Sequence, residues 1–167
     1  IMAILTTNIN YLQPTSFKLV IDRENYPNLE YFAQSISHPS MTVTAAELPF
    51  RKFRSIPMPG ESLDFGEFSA QIIIDEDMNG YSEMYSWLTR LVEQNLKGAL
   101  DRGDGVVPAT SDITLSILSS HNNTVKQIRY IGAIPTSLGE ISFEATAAGT
   151  EFLTFSASFR FSHFEIV

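Results

Sequence analysis

Apolar and polar residues alternate along most of the chain, and this period of two is typical of β-strands with one buried face. The most regular stretch is 152–165, and it predicts core side chains at Leu153, Phe155, Phe159 and Phe161. After Phe161 the alternation changes phase, which predicts a β-bulge near residues 162–163. Similar patterns, separated by turn residues, predict further strands at 17–22, 29–37, 41–46, 51–56, 63–75, 113–117, 125–134 and 140–144.

One segment has the period of a helix instead. Apolar residues recur at steps of three and four from Tyr81 to Val92. The carboxylates at 75–77 precede this segment and suit the unpaired N–H groups of a helix N-terminus. Glycines between 98 and 105 end it. The pattern therefore predicts one α-helix over about 80–97.

Many short strands with a single helix predict a mainly β fold, an antiparallel sandwich or barrel with one packed α-helix. The chain has 167 residues, which fits one domain. A polar stretch ending at Pro14 separates an N-terminal arm, 1–14, from the β-sandwich domain, 15–167. A strand as long as 152–165 spans roughly 45 Å. Because exposed edges of long strands pair with other chains, the sequence favours an oligomer built by sheet closure between subunits.

The composition excludes several classes of protein. The net charge of −8 disfavours a nucleic-acid binder with a basic face. No apolar run approaches the 18 residues of a transmembrane helix, so no membrane span is predicted. The chain has no cysteine, which excludes disulfides and thiol chemistry.

Motifs for catalysis, cofactors and metals are absent from the sequence. It contains neither a Gly-x-Ser-x-Gly turn nor a glycine-rich phosphate loop. The acidic run 75–77 lacks the spacing of a Ca²⁺ loop, and the three histidines are far apart in sequence. We therefore expect no catalytic, cofactor-binding or metal-binding residues and predict that the protein is not an enzyme.

A short basic cluster is the one concentration of positive charge. We expect it to meet acidic residues of a neighbouring subunit, and the alternative is a solvated turn. The candidate inter-subunit residues are Arg51, Lys52, Arg54, Glu61, Asp64 and Glu67.

Five stretches in a fixed order resemble the tail tube proteins of contractile-tailed bacteriophages. They are a proline-bounded hairpin at 47–60, a strand running into acidic residues at 65–77, an aromatic-Trp pair within 85–88, a Gly…Pro-Thr…Gly-Glu segment at 130–143, and the aromatic strand at 152–165. The resemblance covers about residues 15–165. It also extends in fold to the needle of type VI secretion and to bacteriocin tubes.

The resemblance implies a structural virion protein without cofactors. Such proteins form hexameric rings that stack into a hollow tube, whose strands join into a barrel between subunits. The implied partners are further copies of the chain and the sheath, baseplate and tail-terminator proteins, with genome DNA passing through without specific binding. The implied location is the virion tail, assembled in the host cytoplasm. A tail terminator, a baseplate or tube-initiator protein, and a type VI or bacteriocin-like tube subunit are the alternatives.

The second face of the 152–165 strand carries small hydroxyl side chains and one charge. In the resembled family such a strand lines the channel, so the lumen-facing candidates are Thr154, Ser156, Ser158, Arg160 and Ser162. The alternative is that this face packs on the helix or on a neighbouring subunit. On a channel wall an unpaired cation would hold phosphates, so we expect an acid near Arg160, with Glu140 or Glu144 as candidates. The net charge further predicts an acidic wall that repels phosphates over a Debye length of about 8 Å, and the alternative is that the charge serves solubility.

Overall fold

The computed structural model describes residues 11–22, 24–31, 33–50, 54–96, 109–145 and 152–167. These residues form eleven β-strands and two α-helices. In chain order they are β1 (Phe17–Ile21), α1 (Pro27–Tyr31), β2 (Ala33–Ser37), β3 (Met41–Val43), β4 (Ala46–Phe50), β5 (Arg54–Met58), β6 (Leu63–Phe65), β7 (Phe68–Ile73), α2 (Asn79–Leu96), β8 (Ser111–Leu118), β9 (Thr124–Leu138), β10 (Thr154–Arg160) and β11 (His163–Ile166).

The main helix, α2, begins and ends within one residue of the predicted bounds, which confirms the single large helix. Asp75 fixes its start, because its carboxylate accepts hydrogen bonds from the backbone N–H groups of Asn79 at 3.2 Å and Gly80 at 3.4 Å. Desolvation tends to raise the pKa of Asp75. Hydrogen bonds from the backbone and from the Asn79 side chain outweigh it, so the pKa lies below its ordinary value. The acidic run thus stabilises the helix start.

The predicted strand 29–37 is wrong in its first half, which is the short helix α1. Pro27 has a fixed φ and no N–H group, so it fits the first turn of a helix. Glu83 of α2 accepts hydrogen bonds from the backbone N–H and side-chain amide of Asn28. The carboxylate that completes the start of α1 therefore comes from 55 residues away, beyond the reach of a local pattern.

Two further strand predictions change in extent. The predicted strand 63–75 is divided into β6 and β7 at Gly66, whose N–H donates to the carbonyl of Ser40 at 2.9 Å. Strand β9 continues through Pro135 to Leu138, beyond the predicted end at 134. Pro135 lies beside a register shift between Ser158 and Phe159 of β10, where the ladder tolerates a missing N–H group. The predicted strand at 140–144 is not formed.

The main sheet is antiparallel, with the strand order β1-β8-β9-β10-β7-β2 and β11 paired to β9. Both ends of this order are free within the described chain, so the sheet is an open, folded-over layer and not a closed barrel. Its centre is β9, which pairs with β8 and β11 in its first part and with β10 in its second.

Gly132 lies where β9 changes partners. Its φ of +64° is in the left-handed region, which costs little for glycine and strains other residues. Its N–H donates to the Asp112 carboxylate at 3.0 Å, and a Cβ there would lie 3.3 Å from the Ser162 Oγ. Opposite it, between Arg160 and His163, β10 gives way to β11, so the predicted irregularity near 162–163 is present as a break between strands.

The core lies on one face of the folded sheet, under α1 and α2. Trp87 of α2 is fully buried, stacks on Tyr26 with ring centroids 4.5 Å apart, and donates from Nε1 to the Ala109 carbonyl. Phe159 and Phe155 of β10 meet α2 through Trp87 and Tyr81, at 5.9 and 5.4 Å between ring centroids. The buried face of the central strands is therefore the face towards the helix.

Candidate assembly surfaces

A two-stranded extension, named the ribbon here and comprising residues 41–50 and 54–65, stands apart from the main sheet. Strand β3 pairs with β6 and β4 pairs with β5 in two separate two-stranded ladders. Cross-strand partners share a face, so each ladder collects apolar side chains on one side. Six of them are between 42% and 55% exposed: Met41, Val43, Leu48, Ile56, Met58 and Leu63.

The ribbon is held at its base and at its middle. At the base, Phe65 packs against Phe161 and Phe164, with ring centroids 5.7 and 5.4 Å away. At the middle, a Cβ on Gly60 would lie 1.5 Å from the carbonyl oxygen of Thr44, so the close approach of the two backbones requires glycine. The apolar side of each ladder is thus presented to solvent on a fixed scaffold.

Such a face is uncommon on a monomer. Single exposed apolar residues need no explanation, but a contiguous group of them marks an interaction surface. Full burial of an exposed apolar side chain contributes about 1.5–3 kcal/mol. These six are already about half covered, so each would add about half of that. Covering the ribbon would therefore stabilise an assembly strongly.

Among the predicted inter-subunit residues that the structure describes, the basic one lies near the tip of the ribbon and the acidic ones lie near its base. Arg51 and Lys52 lie outside the described residues, and Arg54 begins β5 near the tip, opposite Phe50. Glu61, Asp64 and Glu67 are exposed near the base. Asp64 lies opposite Thr42 and accepts a hydrogen bond from Thr44 Oγ1 at 3.2 Å.

Arg54 and Asp64 lie opposite Phe50 and Thr42, in different ladders of the ribbon. Pairing of these groups between subunits stays a prediction.

The lumen-facing candidates occupy two environments. Thr154, Ser156 and Ser158 are half-buried on β10, on the face turned away from α2. Arg160 ends the strand and is exposed, and Ser162 is exposed in the break before β11. Pairing of Arg160 with Glu140 or Glu144 stays a prediction.

The four predicted core residues also differ. Phe155 and Phe159 are buried, and Phe161 is half-buried beyond the end of β10, where it packs edge-on against Tyr130 at 5.1 Å. Leu153 is 38% exposed, so the prediction of a buried side chain is wrong for the single subunit. The ladder with β7 begins at Thr154, one residue later. The Leu153 carbonyl still accepts a hydrogen bond from the Ile74 N–H, but the Leu153 side chain lies at the margin of the sheet.

The side of the sandwich between the edge strands β1 and β2 is open. A cavity of about 590 Å³ lies there, and its apolar lining includes Phe17, Ile36, Leu115 and Ile128. Strand β2 pairs on one side with β7, which leaves its other edge free in the described chain. An open apolar mouth beside a free strand edge is a second surface suited to another chain.

One titratable pair lies at the base of the sheet. His38 Nδ1 and Tyr130 Oη are 2.7 Å apart, and the His38 ring also meets Phe164 edge-on at 5.1 Å. Desolvation lowers the pKa of His38 and raises that of Tyr130. Among the described residues, no three His, Asp or Glu side chains are grouped to hold a metal ion. No helix in the described ranges is long and apolar enough to span a membrane.

No protein-family model matches the sequence, and a comparison with curated proteins finds no match. Solved structures do match. A chain in the cryo-EM structure of the anti-feeding prophage tube-terminating cap aligns with a TM-score of 0.69 and 19% identity, covering 99% of both chains. The chain has the fold of tube and terminator proteins of contractile injection systems.

Two further structures agree. A chain of the sheath/tube terminator of an extracellular contractile injection system, in its extended state, aligns with a TM-score of 0.68 and 17% identity, over 96% of this chain and 99% of that chain. A chain of the sheath-tube complex from the same kind of system aligns with a TM-score of 0.66 and 17% identity, over 95% and 93%. The mainly β fold that the sequence motifs implied is therefore confirmed.

Sequence reasoning located the polar face of β10 but missed the apolar face of the ribbon. Alternation at 41–46 looks the same whether the apolar side is buried or exposed. The signal that could have identified it is the density of prolines and charges flanking that hairpin, since both are common on strands without a covering layer.

Proposed function

We propose that the protein is a structural subunit that assembles into hexameric rings, which stack into the tube of a contractile tail or related injection machine. The exposed apolar side chains of the ribbon carry this proposal, because a subunit that works alone has no use for two ladders that each present three of them to solvent. Tube, terminator and injection-system chains of the same fold support it.

In this role the ribbon packs on a neighbouring copy, and the free sheet edges of adjacent copies pair to close a common barrel. The channel conducts cargo, which in a phage tail is the genome DNA. The partners are the sheath around the tube, the baseplate at one end and the terminator at the other. The subunit acts by shape and assembly rather than by catalysis.

Electron microscopy of the purified protein tests the proposal. We expect rings and stacked tubes from the unmodified chain, and mostly single subunits from the double variant Leu48→Ser/Ile56→Ser. Its matched control is Tyr85→Ser/Val125→Ser, which removes two apolar side chains that are just as exposed but lie outside the ribbon. The control should assemble normally.

Because all four side chains are exposed, both variants should keep the melting temperature of the subunit within a few degrees. Normal tubes from the ribbon variant would contradict the proposal. Rings that form but never stack would instead identify a terminator, which is the second candidate. The similarity in fold to chains of the cap and terminator structures favours that candidate.

A further inference from the structure

Four adjacent strands, in the order β9, β10, β7 and β2, present one polar surface on the side opposite α2, named the wall face here. The pairing register aligns its side chains in rows across the strands. One row contains Ser137, Ser158, Ser69 and Ser37, and the next contains Ser156, Gln71 and Ser35. Each of these side chains is half-buried or exposed, so the rows are open to water.

In the described residues, these rows carry no ionisable side chain. That is unusual for a water-facing sheet in a chain with a net charge of −8. Apart from Glu67, the described acids lie elsewhere: on the ribbon, in both helices and before α2, on β8 and β11, and in the loops after β1 and β9. The net charge predicted an acidic wall, but the strand register gives this face rows of serine and glutamine instead.

The wall face has charges at one end, and there they occur as a pair of opposite sign. The ladder between β10 and β7 ends at Phe159 opposite Phe68. Arg160 is the last residue of β10 and Glu67 immediately precedes β7, and both are exposed. If the alternation continues by one residue beyond β7, Glu67 lies on the side of Ser69 and Arg160 on that of Ser158, so we expect Glu67 to balance the Arg160 charge.

We infer that the wall face is an electrically neutral passage surface, suited to a linear polymer that carries charges of both signs. The inference rests on the proposed tube and on the prediction that this face lines its channel. A wall of one sign would hold the opposite charges of such a polymer. Neutral hydroxyl and amide groups bond to water about as well as to a passing group, so they retain neither sign. For a uniformly anionic polymer, an acidic wall would keep the passage clearer.

The absence of cysteine makes a direct measurement possible, since any introduced thiol is unique. Gln71→Cys shortens an exposed side chain in the middle of the wall face, and Ser158→Cys is a second variant on the neighbouring strand. Ser82→Cys is the matched control, an exposed position on α2 beside Glu83. Assembled tubes of each variant are treated with anionic, cationic and uncharged methanethiosulfonates, and the rates are normalised to those of a free thiol in solution.

We expect the cationic and anionic reagents to react at Gln71→Cys within about threefold of each other. At Ser82→Cys, the cationic reagent should be favoured by about tenfold, because several carboxylates lie within a Debye length. Adding Glu67→Gln to Ser158→Cys should shift its ratio several-fold towards the anionic reagent, since Arg160 loses its compensating charge.

A strong cation preference at Gln71→Cys would indicate an acidic wall fit for a polyanion and would overturn the inference. An anion preference there, or no shift with Glu67→Gln, would overturn the charge balance. If tubes form but neither wall-face thiol reacts with any reagent, the face is an interface and the inference fails while the tube function stands. If no rings or tubes form from the unmodified chain, the proposed function fails, and the passage surface with it.

Discussion

Phe155→Ala, compared with Leu153→Ala, tests how the terminal strand is divided between the core and the subunit surface. The two residues are neighbours on one alternating face, yet Phe155 is 1% exposed and Leu153 is 38% exposed. Phe155 also meets Tyr81 of α2 edge-on and lies opposite Ile72 of β7. Losing its ring removes contacts to both the helix and the sheet.

The expected magnitudes follow from this burial. Removing a fully buried phenylalanine side chain costs about 3–5 kcal/mol of unfolding free energy. Full burial of a leucine contributes about 1.5–3 kcal/mol, and roughly three fifths of that surface is buried at Leu153, so Leu153→Ala should cost about 1–2 kcal/mol.

Urea unfolding measures both values, in the Leu48→Ser/Ile56→Ser background that keeps subunits apart. The single tryptophan, Trp87, is buried and reports on the core, and far-UV circular dichroism is the second probe. Equal losses for Phe155→Ala and Leu153→Ala would refute the register of β10. In the unmodified background, we also expect Leu153→Ala to raise the concentration needed for assembly, because a half-exposed leucine at the sheet margin becomes covered there.

Four other changes have defined outcomes. Gly132→Ala should cost about 1–2 kcal/mol in urea unfolding, because alanine is strained at a positive φ. Desolvation lowers the pKa of His38, so the unfolded chain takes up this proton at a higher pH than the folded chain. The free energy of unfolding should therefore fall as the pH drops below 6.5, and His38→Gln should flatten that decline. The pKa of Asp75 lies below its ordinary 3.8, so the stability that its carboxylate adds is present above pH 3.8 and is lost as the pH falls further. Asp75→Asn should therefore lower the melting temperature fully at pH 7 and less in stronger acid. Arg54→Glu should weaken ring stacking and its salt sensitivity while the subunit keeps its melting temperature, and unchanged tube growth would contradict the interface assignment.

The parts of the fold that the sequence predicted are those governed by a long local period. Helix α2 has an apolar stripe over four turns, and β10 alternates without a break, so both were evident from pattern alone. The five residues of α1 are too few to show a helical period, and its start depends on Glu83, which is distant in sequence. Pro135 was expected to end a strand, because proline lacks the N–H group that a ladder needs. It is tolerated in β9 because of a register shift in the partner strand, which the sequence of β9 does not reveal.

The candidate surfaces were predictable only in part, for a different reason. Alternation separates two faces of a strand but does not say which face another layer covers. The hydroxyl face of β10 was evident, whereas its continuation through Ser69 and Ser37 appears only once β7 and β2 are in register. The same holds for Arg160, for which the register suggests Glu67, just before β7, as the balancing acid.

The strand order of the main sheet has a consequence for biosynthesis. The two outermost strands, β1 and β2, come first along the chain, and the strands between them, β8, β9, β10 and β7, include the last ones to be translated. A nascent chain that has emerged as far as α2 has already exposed its ribbon, but it has no central strands to hold β1 in place. The sheet can close only after β10 leaves the ribosome, and such non-local pairing is slow. During that interval the apolar ribbon is available to chaperones before a completed neighbour can bind it, so we expect holdase association to be strongest on chains arrested between α2 and β8.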